Sequence, residues 1–235
     1  MSRPPEKIRK MSADDLIDLL RSSSVPENKD GMKRFGINVD NALGTPMPVV
    51  RKIAKENGKD HGIALKLWDS GIHEARILAS LTDDPMMVTE EQMNKWVSEF
   101  DSWDICDQVC SNLFDKTGRA YEKCMEWTDD EREFVKRAGF VMMAVLAVHD
   151  KKADDEKFKM FFPVIMKGAA DERNFVKKAV NWALRQIGKR SAELNAGSVR
   201  VAKALKETKS KSARWIGSDA LRELESERVR KKLGI

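Results

Sequence analysis

A six-residue segment of this chain occurs twice, and its recurrence is the strongest constraint on the fold. EFVKRA at 133–138 returns as NFVKKA at 174–179, which is 41 residues later. Trp215 then places an aromatic residue 40 residues after Phe175. No stretch of any length alternates apolar and polar residues as a half-buried strand does. The sequence therefore predicts an all-α protein built from repeated helical units.

A repeat length near 40 residues narrows the architecture. Helix pairs that recur every ~40–47 residues are typical of HEAT and armadillo arrays, in which each repeat stacks on its neighbours. We expect a HEAT/armadillo-like helical-repeat solenoid with a concave basic face, and an irregular helical bundle is the alternative. The expected boundaries are a flexible N-terminal tail at 1–11, a single HEAT-like domain at 12–226 and a basic C-terminal tail at 227–235.

Capping boxes and one long apolar run locate the helices of the second half. Thr89 and Gln92 form one box, which predicts a helix start. Thr128 and Glu131 form another, which predicts the start of a run that is apolar nearly all round, as a buried helix is. Residues 31–44 are expected to form a turn and loop. Further helices are predicted at about 154–167, 171–188, 197–207 and 210–225.

The net charge of +5 is unevenly distributed along the chain. Residues 1–110 carry 15 Lys/Arg and 19 Asp/Glu, whereas residues 111–235 carry 28 and 19, so the C-terminal part has a net charge of +9. A basic half favours a polyanionic partner, and nucleic acid is the usual candidate.

Several other classes of protein are disfavoured by the sequence. The N-terminal residues lack the apolar segment of a secretory signal, and no window approaches ~18 apolar residues, so we expect neither secretion nor a transmembrane span. The three cysteines do not have the spacing of a zinc site or a disulfide framework. No HExxH motif, glycine-rich phosphate loop or GxSxG motif occurs. We expect a cytoplasmic monomer with no metal and no cofactor.

The segment FDSWDICDQVC at 100–110 is the leading candidate for a catalytic site. Asp101 is expected to cap a helix on which Trp103 and Asp107, four residues apart, share one face. A core tryptophan beside a surface aspartate is the ordinary explanation of such a pair. The same spacing occurs at Trp215 and Asp219, so spacing alone does not identify the site.

The helix predicted at 171–188 has one face that a protein core explains poorly. Lys178, Trp182, Arg185 and Lys189 follow at steps of four, three and four residues, so they share this face. An indole among cations suits nucleic acid, with the cations on phosphates and the ring on a sugar or base. The alternative is that Trp182 covers a neighbouring helix while the cations are solvated. With bases at equivalent or flanking positions of other repeats included, the expected DNA-backbone contacts are Lys136, Arg137, Lys178, Arg185, Lys189, Lys211 and Arg214.

Three stretches together resemble the AlkD-like DNA alkylation repair glycosylases. They are WDICD at 103–107, FVKRAGF at 134–140 and FVKKAVNWALRQIGKR at 175–190, and the likeness runs from about Met32 to Leu224. The resemblance implies a HEAT-like solenoid that binds duplex DNA on a concave basic surface and excises cationic N3- and N7-alkylpurines. An aromatic residue that some members place near the N-terminus has no match here, because Gly31 occupies about that position.

The same resemblance assigns roles to individual residues. It implies that Asp107 is the catalytic carboxylate, that Trp103 and Trp182 bind the substrate, and that Arg137 contacts the DNA backbone. The expected activity is therefore that of a monofunctional glycosylase, which hydrolyses the N-glycosidic bond of N3- or N7-alkylated purines in double-stranded DNA. The alternatives are a non-catalytic helical-repeat protein that binds damaged or distorted DNA, and a protein–protein scaffold.

Overall fold

The computed structural model describes residues 11–235, and all regular secondary structure within them is helical. The prediction of an all-α fold is therefore confirmed. Most of the tail expected at 1–11 lies outside the described residues. The chain divides into two compact units, the first ending at Val88 and the second spanning Thr89–Ile235, whereas a single domain at 12–226 was expected.

The described part of the first unit, residues 11–88, contains five helices and an ordered loop. The helices are α1 (Ala13–Ser22), α2 (Asn28–Arg34), α3 (Met47–Asn57), α4 (His61–Asp69) and α5 (His73–Thr82). The stretch at 31–44 is not entirely turn and loop, because α2 extends into it. Its last residues are held by the buried carboxylate of Glu74, which accepts hydrogen bonds from the backbone N–H groups of Leu43 and Gly44 at 2.8 and 2.6 Å.

The second unit contains the remaining helices and all the candidate site residues. The helices are α6 (Glu90–Ser98), α7 (Trp103–Asn112), α8 (Ala120–Trp127), α9 (Glu133–His149), α10 (Asp155–Lys159), α11 (Phe161–Gly168), α12 (Asn174–Gly188), α13 (Ala192–Lys206), α14 (Lys211–Leu224) and α15 (Glu227–Leu233). Helices α7, α9, α12 and α14 pack side by side in that order. Helix α8 packs on α9, and α13 packs on both α12 and α14. Because α9 is covered by α7, α8 and α12, it is buried on nearly every side, as its composition predicts.

Burial along these helices gives the repeat register. The equivalent buried pairs are Val135 and Ala138 on α9, Val176 and Ala179 on α12, and Ala213 and Ile216 on α14. The offset is 41 residues from α9 to α12, as predicted, but 37 residues from α12 to α14. The prediction that Trp215 is equivalent to Phe175 is therefore wrong, because this register aligns Trp215 with Lys178.

Two glycines independently support the register. A Cβ atom on Gly139 would lie 2.9 Å from the carbonyl oxygen of Cys124 on α8. A Cβ atom on Gly217 would lie 2.4 Å from the carbonyl oxygen of Ala202 on α13. Both contacts are shorter than van der Waals packing allows, so each helix approaches its outer neighbour at a point where a side chain does not fit. Gly139 and Gly217 occupy the same register position.

Several predicted helix boundaries are shifted. Thr89 caps α6 as predicted, accepting from the N–H of Gln92 at 3.2 Å. Thr128 instead follows the end of α8, its hydroxyl donates to the carbonyl of Met125 at 2.7 Å, and α9 begins only at Glu133. The helix predicted at 154–167 is two helices, and the one predicted at 197–207 begins at Ala192. The tail expected at 227–235 contains α15, whose Val229 is buried.

Candidate active site and nucleic-acid interface

Helix α7 presents Trp103 and Asp107 on one side of its first two turns. The N-cap is Ser102, in an extended conformation, so the prediction of Asp101 as the cap is one residue too early. Ile105 and Cys106 are buried, whereas Trp103 and Asp107 are partly exposed. The buried side chains of α7 thus pack in the core, and the indole and the carboxylate lie on its partly exposed face.

The Asp107 carboxylate is held by a guanidinium from the next helix. Arg137 of α9 donates from Nε to Oδ1 at 3.0 Å and from Nη2 to Oδ2 at 2.8 Å. Such a two-bonded arginine–carboxylate pair fixes the orientation of the carboxylate as well as its position. The side chain of Arg137 is only 6% exposed and that of Asp107 is 18% exposed, so the pair is largely removed from water.

The surroundings act on both ionisable groups. Burial raises the pKa of the Asp107 carboxyl, and the charge and hydrogen bonds of Arg137 oppose that rise. Burial alone would lower the pKa of Arg137, but the adjacent carboxylate raises it. The balance leaves the pKa of Asp107 raised, whereas the guanidinium of Arg137 stays protonated.

Arg137 also links this pair to the third helix of the row. Its Nη1 donates to the carbonyl of Phe175 on α12 at 2.6 Å, and its guanidinium lies 6.0 Å from the centre of the Trp103 ring. One side chain thus contacts α7 and α12 from α9. In this geometry the side chain of Arg137 is buried and bonded to protein acceptors, and its role as a DNA-backbone contact stays a prediction.

The other predicted substrate contact lies on α12. Trp182 is partly exposed and stands seven residues after Phe175, so the two residues are on one side of α12, about two turns apart. Lys178, one turn before Trp182, is exposed. The predicted face of an indole with a neighbouring free cation is therefore present on α12.

Two other cations of that face already have protein partners. Arg185 and Lys189 donate to the two carboxylate oxygens of Glu223 on α14, at 2.8 and 2.7 Å. Lysine and arginine remain possible phosphate ligands when a carboxylate shares them, but their charge is partly neutralised. Their roles as backbone contacts stay predictions.

The remaining predicted backbone contacts differ in exposure. Lys136 is partly exposed and lies 3.9 Å from the carboxylate of Asp171. Lys211 is exposed. Arg214 is exposed but donates to the carbonyls of Thr208 and Lys209 just before its own helix. Lys211 and Lys178 are thus the most accessible members of the predicted set.

The sequence marks Lys177 as a repeated basic position but does not predict its contact with Trp215. The Nζ of Lys177 lies 5.1 Å from the centre of the Trp215 ring, and Trp215 is 41% exposed. A signal was present, because Lys177 stands in the repeated segment directly before Lys178. The 37-residue offset between α12 and α14, which brings Lys177 next to Trp215, could not be predicted from the 41-residue repeat.

A cluster of three carboxylates raises the question of a metal site. Glu90, Glu122 and Glu126 lie close enough together to share an ion. The Nζ of Lys123 lies 2.7 Å from Glu90 and 2.6 Å from Glu126, and Arg119 bonds Glu90 and Glu122. Protein cations therefore already satisfy this cluster.

Within the part of the chain that the structure describes, no helix is long and apolar enough to cross a membrane.

Comparison with known proteins bears directly on this arrangement. The model of a family described as DNA alkylation repair enzyme matches residues 16–224, which include α7, α9, α12 and α14. The chain belongs to this family. No curated protein sequence matches the chain.

Solved structures place the family member among helical-repeat folds. One structure, described as a new family of proteins related to the HEAT-like repeat DNA glycosylases with affinity for branched DNA structures, superposes with a TM-score of 0.76 at 17% identity. The match covers 91% of this chain and 96% of that one, and it confirms the predicted HEAT-like fold. A designed armadillo repeat protein in complex with a (KR)4 peptide matches with a TM-score of 0.44 at 14% identity, covering 89% of this chain and 99% of that one.

Proposed function

We propose that this protein is a DNA glycosylase that hydrolyses the N-glycosidic bond of cationic N3- or N7-alkylated purines in duplex DNA. Membership of the DNA alkylation repair enzyme family supports a role in DNA repair. The observation that carries the finer proposal is the fixed carboxylate of Asp107, partly exposed beside Trp103 and bonded through both oxygens to Arg137.

One carboxylate is chemically sufficient for such a substrate. Alkylation at N3 or N7 gives the purine a positive charge, so the base leaves with the electron pair of the C1′–N bond and becomes neutral without a general acid. Most glycosidases need two carboxyl groups, one of them to protonate the leaving group. Here Asp107 stabilises the positive charge that develops on the sugar and orients the water whose oxygen bonds to C1′. The proton of that water passes to solvent.

The pairing with Arg137 is compatible with this role. Each carboxylate oxygen has a second acceptor position beyond the one that the guanidinium occupies. Asp107 can therefore keep its orientation and still accept a hydrogen bond from water. A carboxylate that is fixed before the substrate arrives needs no reorganisation during the reaction, which is the usual basis of electrostatic catalysis.

The two tryptophans hold the substrate in this proposal. A cationic nucleotide is attracted to the face of an indole, with each contact worth on the order of 1 kcal/mol. Trp103 and Trp182 are both partly exposed, as such contacts require. Exposed cations such as Lys178 and Lys211 would bind the phosphates of the duplex along a basic surface.

Release of free base from a duplex with one 7-methylguanine tests the proposal. The wild-type protein is expected to release 7-methylguanine well above the rate of spontaneous depurination, which is measured on the same duplex without protein. A protein that binds the duplex but releases no base would contradict the proposed activity.

A second candidate function is binding to distorted or branched DNA without excision. It is favoured by the structural relative, which is described as having affinity for branched DNA structures. Tight binding of a junction in preference to a linear duplex, with no base release, would support it. A protein–protein scaffold is the third candidate, and binding to DNA that is insensitive to salt between about 50 and 200 mM would contradict both DNA functions, since phosphate contacts release counterions.

A further inference from the structure

A second cationic region lies at the far ends of α9 and α12. A groove of about 850 Å³ is lined by the last turns of both helices, by the loop between α9 and α10, and by Lys232 of α15. Arg137 lies near the start of α9, and Ala147 in the groove wall is ten residues further on, about 15 Å along the helix. We call this cavity the α9–α10 groove. None of the predicted DNA contacts except Lys189 lies in its wall.

The charge of the groove favours an anion. Its cations are Lys151, Lys152, Lys189, Arg190 and Lys232, and its acids are Asp154 and Asp155. Arg190 lies 3.4 Å from Asp155, and Lys189 is bonded to Glu223, so these charges are used within the protein. Lys151 and Lys152 are exposed, and among the described residues neither has an ion-pair partner. Lys232 is also exposed, and it donates to the carbonyl of Lys189 at 3.2 Å. Lys151, Lys152 and Lys232 are therefore the groove cations available to a ligand.

The loop that carries the two lysines is held firmly. Asp150 accepts from the N–H of Ala153 at 3.1 Å and from the hydroxyl of Tyr121 at 2.9 Å. Arg190 donates to the carbonyls of Ala147 and Ala153, and its guanidinium stacks 4.3 Å from the ring centre of Phe158. A loop fixed at both ends presents its lysines without a further loss of backbone entropy on binding.

The composition of the wall identifies the kind of anion. Among the described residues no aromatic side chain lines the groove, so a stacked base or another flat apolar ligand has no platform in this wall. Flexible lysine side chains suit phosphate groups, which they bind as point charges without reading sequence. A duplex bound across the starts of α9 and α12 has a continuous run of phosphates that can reach the other ends of the same helices.

We propose that the α9–α10 groove binds the sugar–phosphate backbone of DNA, as a site separate from the residues that contact the lesion. The proposal rests on the proposed function only in taking DNA as the polyanion. The structural alternative is that these lysines merely offset the partial negative charge at the ends of α9 and α12. That alternative predicts no change in DNA binding when they are removed.

The salt dependence of binding tests the groove. Affinity for an undamaged duplex several helical turns long is measured at a series of salt concentrations for wild type and for Lys151→Ala/Lys152→Ala. Each lost phosphate contact reduces the slope of log K against log salt by about 0.9, so we expect a reduction of about 1.8 and a weaker complex at low salt. The matched control is Arg200→Ala/Lys206→Ala, which removes the same charge from exposed positions of α13.

The outcomes separate this proposal from the proposed enzyme activity. A groove variant with the wild-type slope would contradict the proposal that the groove binds DNA. A control that loses as much slope as the groove variant would contradict it equally. A reduced slope in the groove variant alone, in a protein that releases no 7-methylguanine, would support the groove and contradict the glycosylase. If the wild-type protein binds no DNA, both proposals are wrong.

Discussion

Trp103–Asp107 on α7 and Trp215–Asp219 on α14 have the same spacing but different surroundings. Asp107 is bonded through both oxygens to Arg137, which is almost fully buried. Asp219 accepts from the amide of Asn181 at 2.7 Å and contacts Arg222, whose side chain is 80% exposed. The first carboxylate has one buried partner that bonds both of its oxygens, whereas the second contacts Asn181 and the solvated Arg222 and lies 3.8 Å from Arg185.

The repeat register explains why equal spacing gives unequal sites. In the repeat register Trp215 of α14 is equivalent to Arg137 of α9 and to Lys178 of α12. The same position therefore holds a cation in α9 and α12 and a tryptophan in α14. The register also aligns Asp219 with Trp182. A Trp-x-x-x-Asp pair is therefore a poor indicator of function by itself, and its position relative to the buried residues of the helix decides what it can contact.

Substitution of Asp107 should have the largest effect on activity. In Asp107→Asn the amide no longer carries the negative charge that stabilises the developing cation. We expect base release to fall by ~100-fold or more, with DNA affinity retained, as for the loss of a main electrostatic group in other enzymes. Single-turnover release of 7-methylguanine and fluorescence anisotropy measure the two quantities. Release at the wild-type rate would show that Asp107 is not the catalytic carboxylate.

Removal of Arg137 should mainly destabilise the fold. Arg137→Ala leaves Asp107 as a poorly hydrated charge without its partner, which costs about 3–5 kcal/mol in comparable buried pairs. Urea unfolding is expected to show this loss, and Asp107→Asn in the same background is expected to recover part of it. If Arg137→Ala instead unfolds like wild type and reduces the salt slope of DNA binding by about 0.9, Arg137 contacts a phosphate after all.

The pH dependence of base release should report the burial of Asp107. The carboxyl is active when ionised, and burial raises its pKa above the ordinary value of about 3.9. Catalysed release is therefore expected to decline, as the pH falls, at a pH above that ordinary value. The rate on duplex without protein is subtracted at each pH, because acid accelerates spontaneous depurination. A catalysed rate that stays constant down to the ordinary aspartate pKa would contradict this assignment.

Substitution of Asp219 should have the smallest effect. Asp219→Asn keeps an acceptor for Asn181 and removes a charge that Arg222 and Arg185 offset. Because Asp219 has no part in the proposed reaction, we expect base release within about twofold of wild type, a change of about 0.4 kcal/mol in activation free energy. The same release assay measures it. Loss of excision in Asp219→Asn but not in Asp107→Asn would indicate that Asp219 on α14 is the catalytic carboxylate.

The fold was largely predictable because its signal is repeated. The apolar run extends over most of α9, and the segment FVK recurs at the start of α12. A wrong prediction at one residue therefore does not change the prediction of a helical repeat. Single capping residues were less reliable. Thr128 has the sequence of a helix start, but it is the residue that follows the end of α8, and its hydroxyl bonds back to the carbonyl of Met125. Short-range patterns cannot reveal which of two adjacent helices uses a threonine.

For the candidate site, the sequence supplies residues but not their contacts. Trp103 and Asp107 come from one stretch, Trp182 comes from another, and their roles come from a family resemblance and stay predictions. The partner of Asp107 was not identified, because Lys136 and Arg137 are adjacent bases and only the packing of α7 on α9 turns Arg137 inward. The offset of 37 residues to α14 was hidden for the same reason, since it depends on how α12, α13 and α14 pack.

The bond from Arg137 to the carbonyl of Phe175 limits how the chain can be lengthened or shortened. Repeat arrays usually tolerate the insertion or deletion of whole repeats, because each repeat depends only on its neighbours. Here the carboxylate on α7 is oriented by a residue on α9, which is itself fixed by the backbone of α12. These three helices form a unit that cannot be separated by an inserted repeat without releasing Asp107. Extension of the array is therefore compatible with the site only outside α7–α12.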